Sequence, residues 1–147
     1  MHNISHSRCQ CDVDVFNKPG RQIMYDGDLH LKDLNDGKYW ELLKPLGFKT
    51  EYHDTWIIVP TGFITDLASI PKIFFTIIGG SSDGKYRRAA VCHDWLYTVE
   101  TKLDGNSKAK ADKAFLELML ADGVPKWKAY IMYAAVWLFG HKSWGGK

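Results

Sequence analysis

A histidine and a carboxylate stand next to each other, as His93 and Asp94, within an otherwise apolar segment. Folding alone rarely requires such a pair. If residues 86–100 form one helix, His93 and Tyr97 lie one turn apart on the same face, and Asp94 lies one step round the helix. The imidazole of His93 is therefore a candidate general base, with an acidic and a phenolic group close to it.

A second helix, predicted over residues 107–121, carries the acid that would orient this imidazole. Ser107 is a suitable N-cap, and Asp112 shares the apolar edge of the helix with phenylalanine, leucine and methionine side chains. Because the link over residues 101–106 is short, antiparallel packing of the two helices would bring Asp112 to His93. A carboxylate that accepts a ring N–H fixes the tautomer of the histidine, so these two residues are predicted to form a dyad.

These residue types fit a metal-assisted hydrolase of an ester or related acyl bond. In this hypothesis Asp94 and Asp66 supply oxygen ligands to a hard cation, calcium first, while His93 deprotonates the attacking water. In one variant, the same three residues bind a transition metal such as zinc and the substrate is a peptide or cell-wall bond. In another variant Ser69 is the nucleophile, although no Gly-x-Ser-x-Gly motif surrounds that serine.

The same residues also fit a protein that catalyses no reaction. His93, Asp94 and Asp112 would then form a buried polar network that specifies the core. Asp66 and Ser69 would be helix caps. Six tryptophans and seven tyrosines would supply anchors for an interface with another protein.

Length and composition indicate one domain over residues 1–147. Of these residues 46% are hydrophobic, and the net charge of +2 gives no electrostatic reason to expect nucleic-acid binding. The first twenty residues contain no apolar run, so we expect no signal peptide, synthesis in a cytoplasm and reduced thiols. Residues 1–20 are interpreted as a flexible or partner-docked arm, in which Cys9 and Cys11 are a weak metal-site signal.

The distribution of elements predicts an α+β fold, with short antiparallel strands in the N-terminal half and a bundle of about three helices in the C-terminal half. Strands are predicted at residues 38–43, 49–53 and 55–59, with a hairpin turn at residues 53–54. A short helix is predicted at residues 71–78.

The last predicted helix begins near Pro125 and ends near Gly140. Its eleven apolar residues at positions 129–139 are too few for a transmembrane span, which needs about 20. We interpret it as a core helix. In the alternative, Trp127 and Trp137 belong to an aromatic face that contacts lipid or a partner protein.

Several motifs resemble a family of small phage and prophage proteins that carry a domain of unknown function. The matching segments, over residues 38–145, are Trp56–Pro60, Gly62-Phe63-x-Thr65-Asp66-x-Ala68-Ser69-Ile70-Pro71, Ala89-Ala90-Val91-x-His93-Asp94-x-Leu96-Tyr97, Ala111-Asp112-x-x-Phe115 and Val124-Pro125-x-Trp127. The resemblance implies a phage setting, with synthesis in the host cytoplasm, phage or host proteins as partners, and a virion or tail component or an inhibitor of host defence as the noncatalytic function.

A second resemblance is to the helix pair of secreted phospholipases that cleave the sn-2 ester. In that family the histidine activates water, the adjacent aspartate binds calcium, and an aspartate and a tyrosine hold the histidine. These roles would fall on His93, Asp94, Asp112 and Tyr97, and the substrate would be a lipid or another component of the cell envelope. The chain departs from that family because it lacks the cysteines of its disulfides.

Overall fold

A computed structural model of the chain describes residues 24–67, 84–98 and 105–144. Antiparallel strands come first and helices follow, so the predicted α+β arrangement is confirmed. The predicted helix at residues 71–78, Ser69 and the N-terminal arm with its two cysteines lie outside the described residues.

The described residues contain two three-stranded sheets. The strands are β1 (Met24–Asp26), β2 (Leu31–Asp33), β3 (Trp40–Leu42), β4 (Leu46–Thr50), β5 (His53–Val59) and β6 (Ile64–Thr65). One sheet has the order β1-β4-β5 and the other has the order β2-β3-β6, and all neighbouring strands are antiparallel. In the first sheet Tyr25 pairs with Phe48, which in turn pairs with Ile57.

The hairpin between β4 and β5 turns at residues 51–52, two residues earlier than predicted. His53 begins β5, where it pairs with Thr50, and both of its ring nitrogens have hydrogen-bond partners. Nδ1 lies 2.8 Å from Oγ1 of Thr50, and Nε2 lies 3.1 Å from Oδ1 of Asn106, just before the second helix. His53 therefore connects the hairpin to the helical half.

Three helices follow the sheets in the described residues: α1 (Arg87–Leu96), α2 (Lys108–Ala121) and α3 (Lys126–Phe139), the last continued by a 3-10 turn at Gly140–Lys142. The predicted cap of α2 is confirmed, since Oγ of Ser107 accepts the N–H of Lys110 at 3.3 Å. After α2 the chain turns at Gly123, whose φ of +81° suits glycine. Pro125 then precedes α3 and fixes the backbone where that helix starts.

The second helix is central, because it packs against both α1 and α3 and also contacts β4. The first helix rests on β5 and β6. Apolar side chains from β3, β4, β5 and the three helices form one core, including Leu42, Phe48, Val91 and Phe115, none of which is exposed to solvent. This packing fixes the facing sides of α1 and α2, which carry the candidate dyad.

The interpretation of α3 as a core helix is correct for only one side of it. Its buried residues are Ala129, Met132, Ala135 and Val136, whereas Trp127, Tyr130 and Trp137 are each 55% exposed. An eleven-residue apolar run has no polar side to mark its orientation, so the sequence pattern could not show which residues face α2. Among the described residues no helix is both long and apolar enough to cross a membrane.

Asp122, at the end of α2, holds the helices against the first sheet. Its carboxylate accepts bonds from the phenol of Tyr25, at 3.1 Å, and from the guanidinium of Arg88 in α1. The Arg88 guanidinium also lies 3.6 Å from the centroid of the Tyr25 ring, a cation–π contact. These contacts connect β1, α1 and the C-terminal end of α2 at a single carboxylate.

Candidate active site

His93 and Asp112 form a buried pair between α1 and α2. Nε2 of His93 lies 2.9 Å from Oδ1 of Asp112, and the two residues are 2% and 0% exposed. The imidazole lies between the rings of Tyr97 and Phe115, at centroid distances of 4.2 Å and 4.7 Å. The expected contact between the two helices is therefore present, and ring packing fixes the plane of the imidazole.

Two further donors bind the same carboxylate. The phenol of Tyr97 donates to Oδ1 of Asp112 at 2.5 Å, and the ammonium of Lys108 donates to Oδ2 at 2.6 Å. Burial by itself raises the pKa of Asp112, but the hydrogen bonds from His93, Lys108 and Tyr97 outweigh it and leave the pKa below its ordinary value. Asp112 is thus held as a carboxylate, which favours a proton on Nε2 of His93.

Lys108 extends this cluster to the third helix. Its ammonium donates to the backbone carbonyls of Val136 and Trp137, both at 3.1 Å, near the C-terminal end of α3. The carbonyls at the C-terminal end of a helix carry partial negative charge, so they favour a cation. Gly140 follows directly, and a Cβ atom there would lie 2.6 Å from the phenol oxygen of Tyr97. The end of α3 therefore closes tightly over the cluster.

The other nitrogen of the His93 ring is buried and has no hydrogen-bond partner among the described residues. When Nε2–H is donated to Asp112, this Nδ1 atom carries the lone pair of the neutral imidazole. The arrangement is that of a histidine oriented by an acid on one side and able to accept a proton on the other.

Asp94, the neighbour of His93 in the chain, belongs to a second group of hydrogen bonds. Its Oδ2 accepts the hydroxyl of Thr65 at 2.5 Å and the backbone N–H of Asp66 at 3.2 Å. The Thr65 hydroxyl in turn accepts the N–H of Leu67, a non-glycine residue with a φ of +58°. Asp94 therefore holds β6 and the unusual backbone after it against α1.

These bonds bear on the predicted metal site. The Asp94 side chain is 1% exposed, and its Oδ2 already accepts two donors. Within residues 24–67, 84–98 and 105–144 no three histidine, cysteine or acidic side chains lie together as a metal site would require. The structure brings Asp94 and Asp66 together through a bond from the backbone N–H of Asp66 to the Asp94 carboxylate, and the binding of a cation by the two residues stays a prediction. Ser69 lies outside the described residues.

The phenol of Tyr97 and the thiol of Cys92 are both held in their protonated forms. Burial raises the pKa of Tyr97, and its bond to Asp112 adds to that effect, so the phenol remains a donor. Burial also raises the pKa of Cys92, which is fully buried in α1. The thiol of Cys92 is therefore a poor nucleophile, as expected of a small core residue.

Lys108 is the member of the cluster that the sequence interpretation missed. A signal was present, because a lysine four residues before an aspartate in a helix can reach it along one face. Its contacts with the carbonyls of α3 depend on how α2 and α3 pack, and the sequence pattern carries no information on that packing. The close approach of Gly140 to Tyr97 likewise depends on how the helices pack, so the sequence pattern carries no information on it.

The comparison with known families bears directly on this cluster. Residues 40–136 match the model of a family described as "Protein of unknown function (DUF1353)". The chain belongs to this family. The matched range contains every side chain of both hydrogen-bonded groups described above, and the resemblance to a family with a domain of unknown function is confirmed.

Two relatives come from Sinorhizobium fredii (strain NBRC 101917 / NGR234). The chain is 46% identical to "Uncharacterized protein y4jT" over 82 residues. These residues make up 56% of this chain and 23% of the relative. It is 36% identical over 81 residues to "Uncharacterized protein y4iH", or 55% of this chain and 32% of that relative. The chain thus matches less than a third of the length of each relative. No solved structure matches it.

Proposed function

We propose that this chain is a hydrolase of an ester or related acyl bond, in which His93 acts as the general base for an attacking water. The observation that carries the proposal is the state of the two ring nitrogens. Nε2 is bound to Asp112, whereas Nδ1 is buried and has no partner in the described part of the chain. A buried acceptor left without a partner costs about 1–3 kcal/mol, so stability alone gives no reason for this arrangement.

In the proposed reaction, Nδ1 of His93 takes a proton from water while the water oxygen bonds to the acyl carbon. Asp112 stabilises the imidazolium that forms, because its carboxylate is 2.9 Å from Nε2. When the bond between the acyl carbon and the leaving oxygen breaks, the imidazolium returns the proton to that oxygen. Tyr97 and Lys108 are positioning residues, since they hold the Asp112 carboxylate and supply no group to the proton transfer.

The proposed proton transfer needs only His93, Asp112 and water, and Oδ2 of Asp94 is already occupied by the Thr65 hydroxyl and the Asp66 N–H. A hydroxyl nucleophile such as Ser69 would replace water in the same scheme, with His93 as its base. Lipid esters and acyl bonds of the cell envelope are the substrate classes we propose, on the basis of the resemblance of the helix pair to phospholipases.

A noncatalytic function is the second candidate, and one observation favours it. The imidazole of His93 is only 2% exposed, so substrate must enter by displacing part of its cover before Nδ1 can act. A protein that never binds substrate there would keep His93, Tyr97, Lys108 and Asp112 as a structural network. In the phage setting that the motifs imply, such a protein would be a virion or tail component or an inhibitor of host defence.

The two candidates are separated by replacing His93 with glutamine. The glutamine amide can donate to Asp112 but cannot accept a proton from water, so hydrolysis of chromogenic acyl esters and of phospholipid should fall at least about 100-fold, with little change in melting temperature. His141→Gln, at an exposed histidine, is the matched control and should keep full activity. Wild-type protein that does not hydrolyse any ester of a panel of chain lengths, or H93Q protein as active as wild type, would contradict the proposal.

A further inference from the structure

The outward side of α3 presents four large apolar side chains in one stripe. Trp127, Tyr130, Trp137 and Leu138, here called the aromatic face, are each 55% exposed. Their spacing along the chain places them on the same side of the helix, opposite the buried Ala129, Met132, Ala135 and Val136. So large an exposed apolar stripe on one helix is characteristic of a surface that binds a protein or a membrane.

The charged side chains of the segment that carries this face have a single sign. The sequence contains no aspartate or glutamate after Asp122, whereas Lys126, Lys128 and Lys142 lie within or just beyond the helix. Lys126 and Lys142 are exposed, and the ammonium of Lys128 lies 5.5 Å from the centroid of the Trp127 ring. The aromatic face is therefore bordered by cations and by no acidic side chain of the same segment.

We propose that the aromatic face docks on the surface of an anionic lipid bilayer. The basic border complements negatively charged headgroups, and each lysine near such a surface adds to the binding. Tryptophan and tyrosine are the side chains enriched where apolar chains meet headgroups, since their rings are apolar and carry one polar group. This proposal goes beyond the proposed function and does not depend on it, because docking requires no catalysis.

The geometry of α3 fits a helix that lies along the bilayer surface. With 14 residues it is about 21 Å long, too short to cross the hydrocarbon core. Its other side is packed against α2, so the helix can offer only one side to lipid while the protein stays folded.

Composition favours lipid over a protein partner. Lysine is depleted in protein–protein interfaces, whereas lysine beside an aromatic stripe is typical of helices that bind at membrane surfaces. The long stems of Lys126 and Lys142 can lie along the apolar region while their ammonium groups reach the headgroups.

The experiment is co-sedimentation of the full chain with two kinds of vesicle, one of phosphatidylcholine alone and one in which about a third of the lipid is phosphatidylglycerol. Wild-type protein should pellet with the anionic vesicles, and binding should weaken between about 0.1 M and about 0.5 M salt. The double variant Lys126→Gln/Lys142→Gln should bind about thirtyfold more weakly, as expected for two lysines near an anionic surface. Trp127→Ser/Trp137→Ser should lose binding, and both variants should keep the wild-type circular dichroism spectrum.

Trp56→Ser is the matched control, because Trp56 is 45% exposed on β5 and lies outside the aromatic face. It should bind vesicles as wild type does. Absence of binding to anionic vesicles, or equal binding by W127S/W137S, would overturn the proposal in favour of a protein partner. A wild-type dimer in light scattering that W127S/W137S abolishes, together with no vesicle binding, would overturn it in favour of a second copy of this chain. Hydrolytic activity is not a readout here, so failure of this proposal is distinguishable from failure of the proposed function.

Discussion

Lys108 lies one helical turn before Asp112 in α2, and its ammonium is 2.6 Å from Oδ2 of that carboxylate. The same ammonium donates to the carbonyls of Val136 and Trp137 in α3. One side chain thus supplies the charge that balances the buried acid and also the link that holds the third helix to it. Lys108 makes no hydrogen bond to the imidazole among the described residues, but it holds the carboxylate to which the imidazole is bonded. The hydrogen-bond geometry of the dyad therefore depends on this lysine.

Replacing Lys108 with methionine should therefore be costly. Methionine keeps much of the apolar stem but leaves a buried carboxylate without its cation, and breaking a buried pair in this way costs about 3–5 kcal/mol. Urea denaturation measures the loss in free energy of unfolding. Lys110→Met is the control in the same helix, since Lys110 is exposed and should cost less than about 0.5 kcal/mol. Equal stability losses in the two variants would mean that the contacts of Lys108 have no special role.

Stability at acidic pH should depend on Asp112. The pKa of Asp112 is lowered in the folded protein, so the unfolded chain takes up its proton at a higher pH than the folded protein does. The contribution of Asp112 is therefore fully present above the unfolded pKa of about 4 and is lost as pH falls through the lower folded pKa. Unfolding free energies measured from neutral pH down to about pH 3 should decline more steeply for wild type than for Asp112→Asn. Parallel curves for the two proteins would refute this assignment.

Gly140→Ala should disturb the cluster, although alanine suits the backbone there, where φ is −73°. The new Cβ atom would lie 2.6 Å from the phenol oxygen of Tyr97 and 3.3 Å from Cε of Lys108. We expect a loss of about 1–3 kcal/mol, typical of overpacking. Tyr97→Phe removes the oxygen that the methyl group meets, so in a double-mutant cycle the two changes should cost less together than the sum of their separate costs. Additive costs would indicate that the tight approach does not limit this site.

Asp94→Ala should lower stability whether or not a cation is present. It removes the acceptor of the Thr65 hydroxyl and of the Asp66 N–H, which we expect to cost about 3 kcal/mol. Thermal melting in calcium and in a chelator should give the same difference between the variant and wild type. Asp28→Ala, at an exposed aspartate, is the control for loss of charge alone. If calcium raises the melting temperature of the wild type but not of D94A, Asp94 is a metal ligand.

The dyad was predictable from sequence because it depends on local rules. Helical spacing places His93 and Tyr97 on one face. Because the connection after α1 is short, α2 packs beside α1. Both facts are contained in the order of residues, and the bond between His93 and Asp112 follows from them.

Other features depend on contacts that the local pattern does not contain. β1 and β2 have only three residues each, which is too short for alternation to show, and they are defined by their partners β4 and β3. The side of α3 that is buried is set by small residues that allow close packing, Ala129 and Ala135, and not by its larger aromatic residues. The hydrogen bond between Asp94 and Thr65 spans 29 residues of sequence, and no spacing rule predicts it.

The convergence of donors on Asp112 also constrains how this cluster can be altered. Tyr97, His93 and Lys108 reach one carboxylate from two helices, and the lysine extends the set to the end of a third. Any single apolar replacement leaves a polar group without a partner in the interior, whereas an apolar set of matching volume would leave none. Attempts to give this region an apolar core should consequently succeed through simultaneous exchange of all four side chains and fail when apolar residues are introduced one by one.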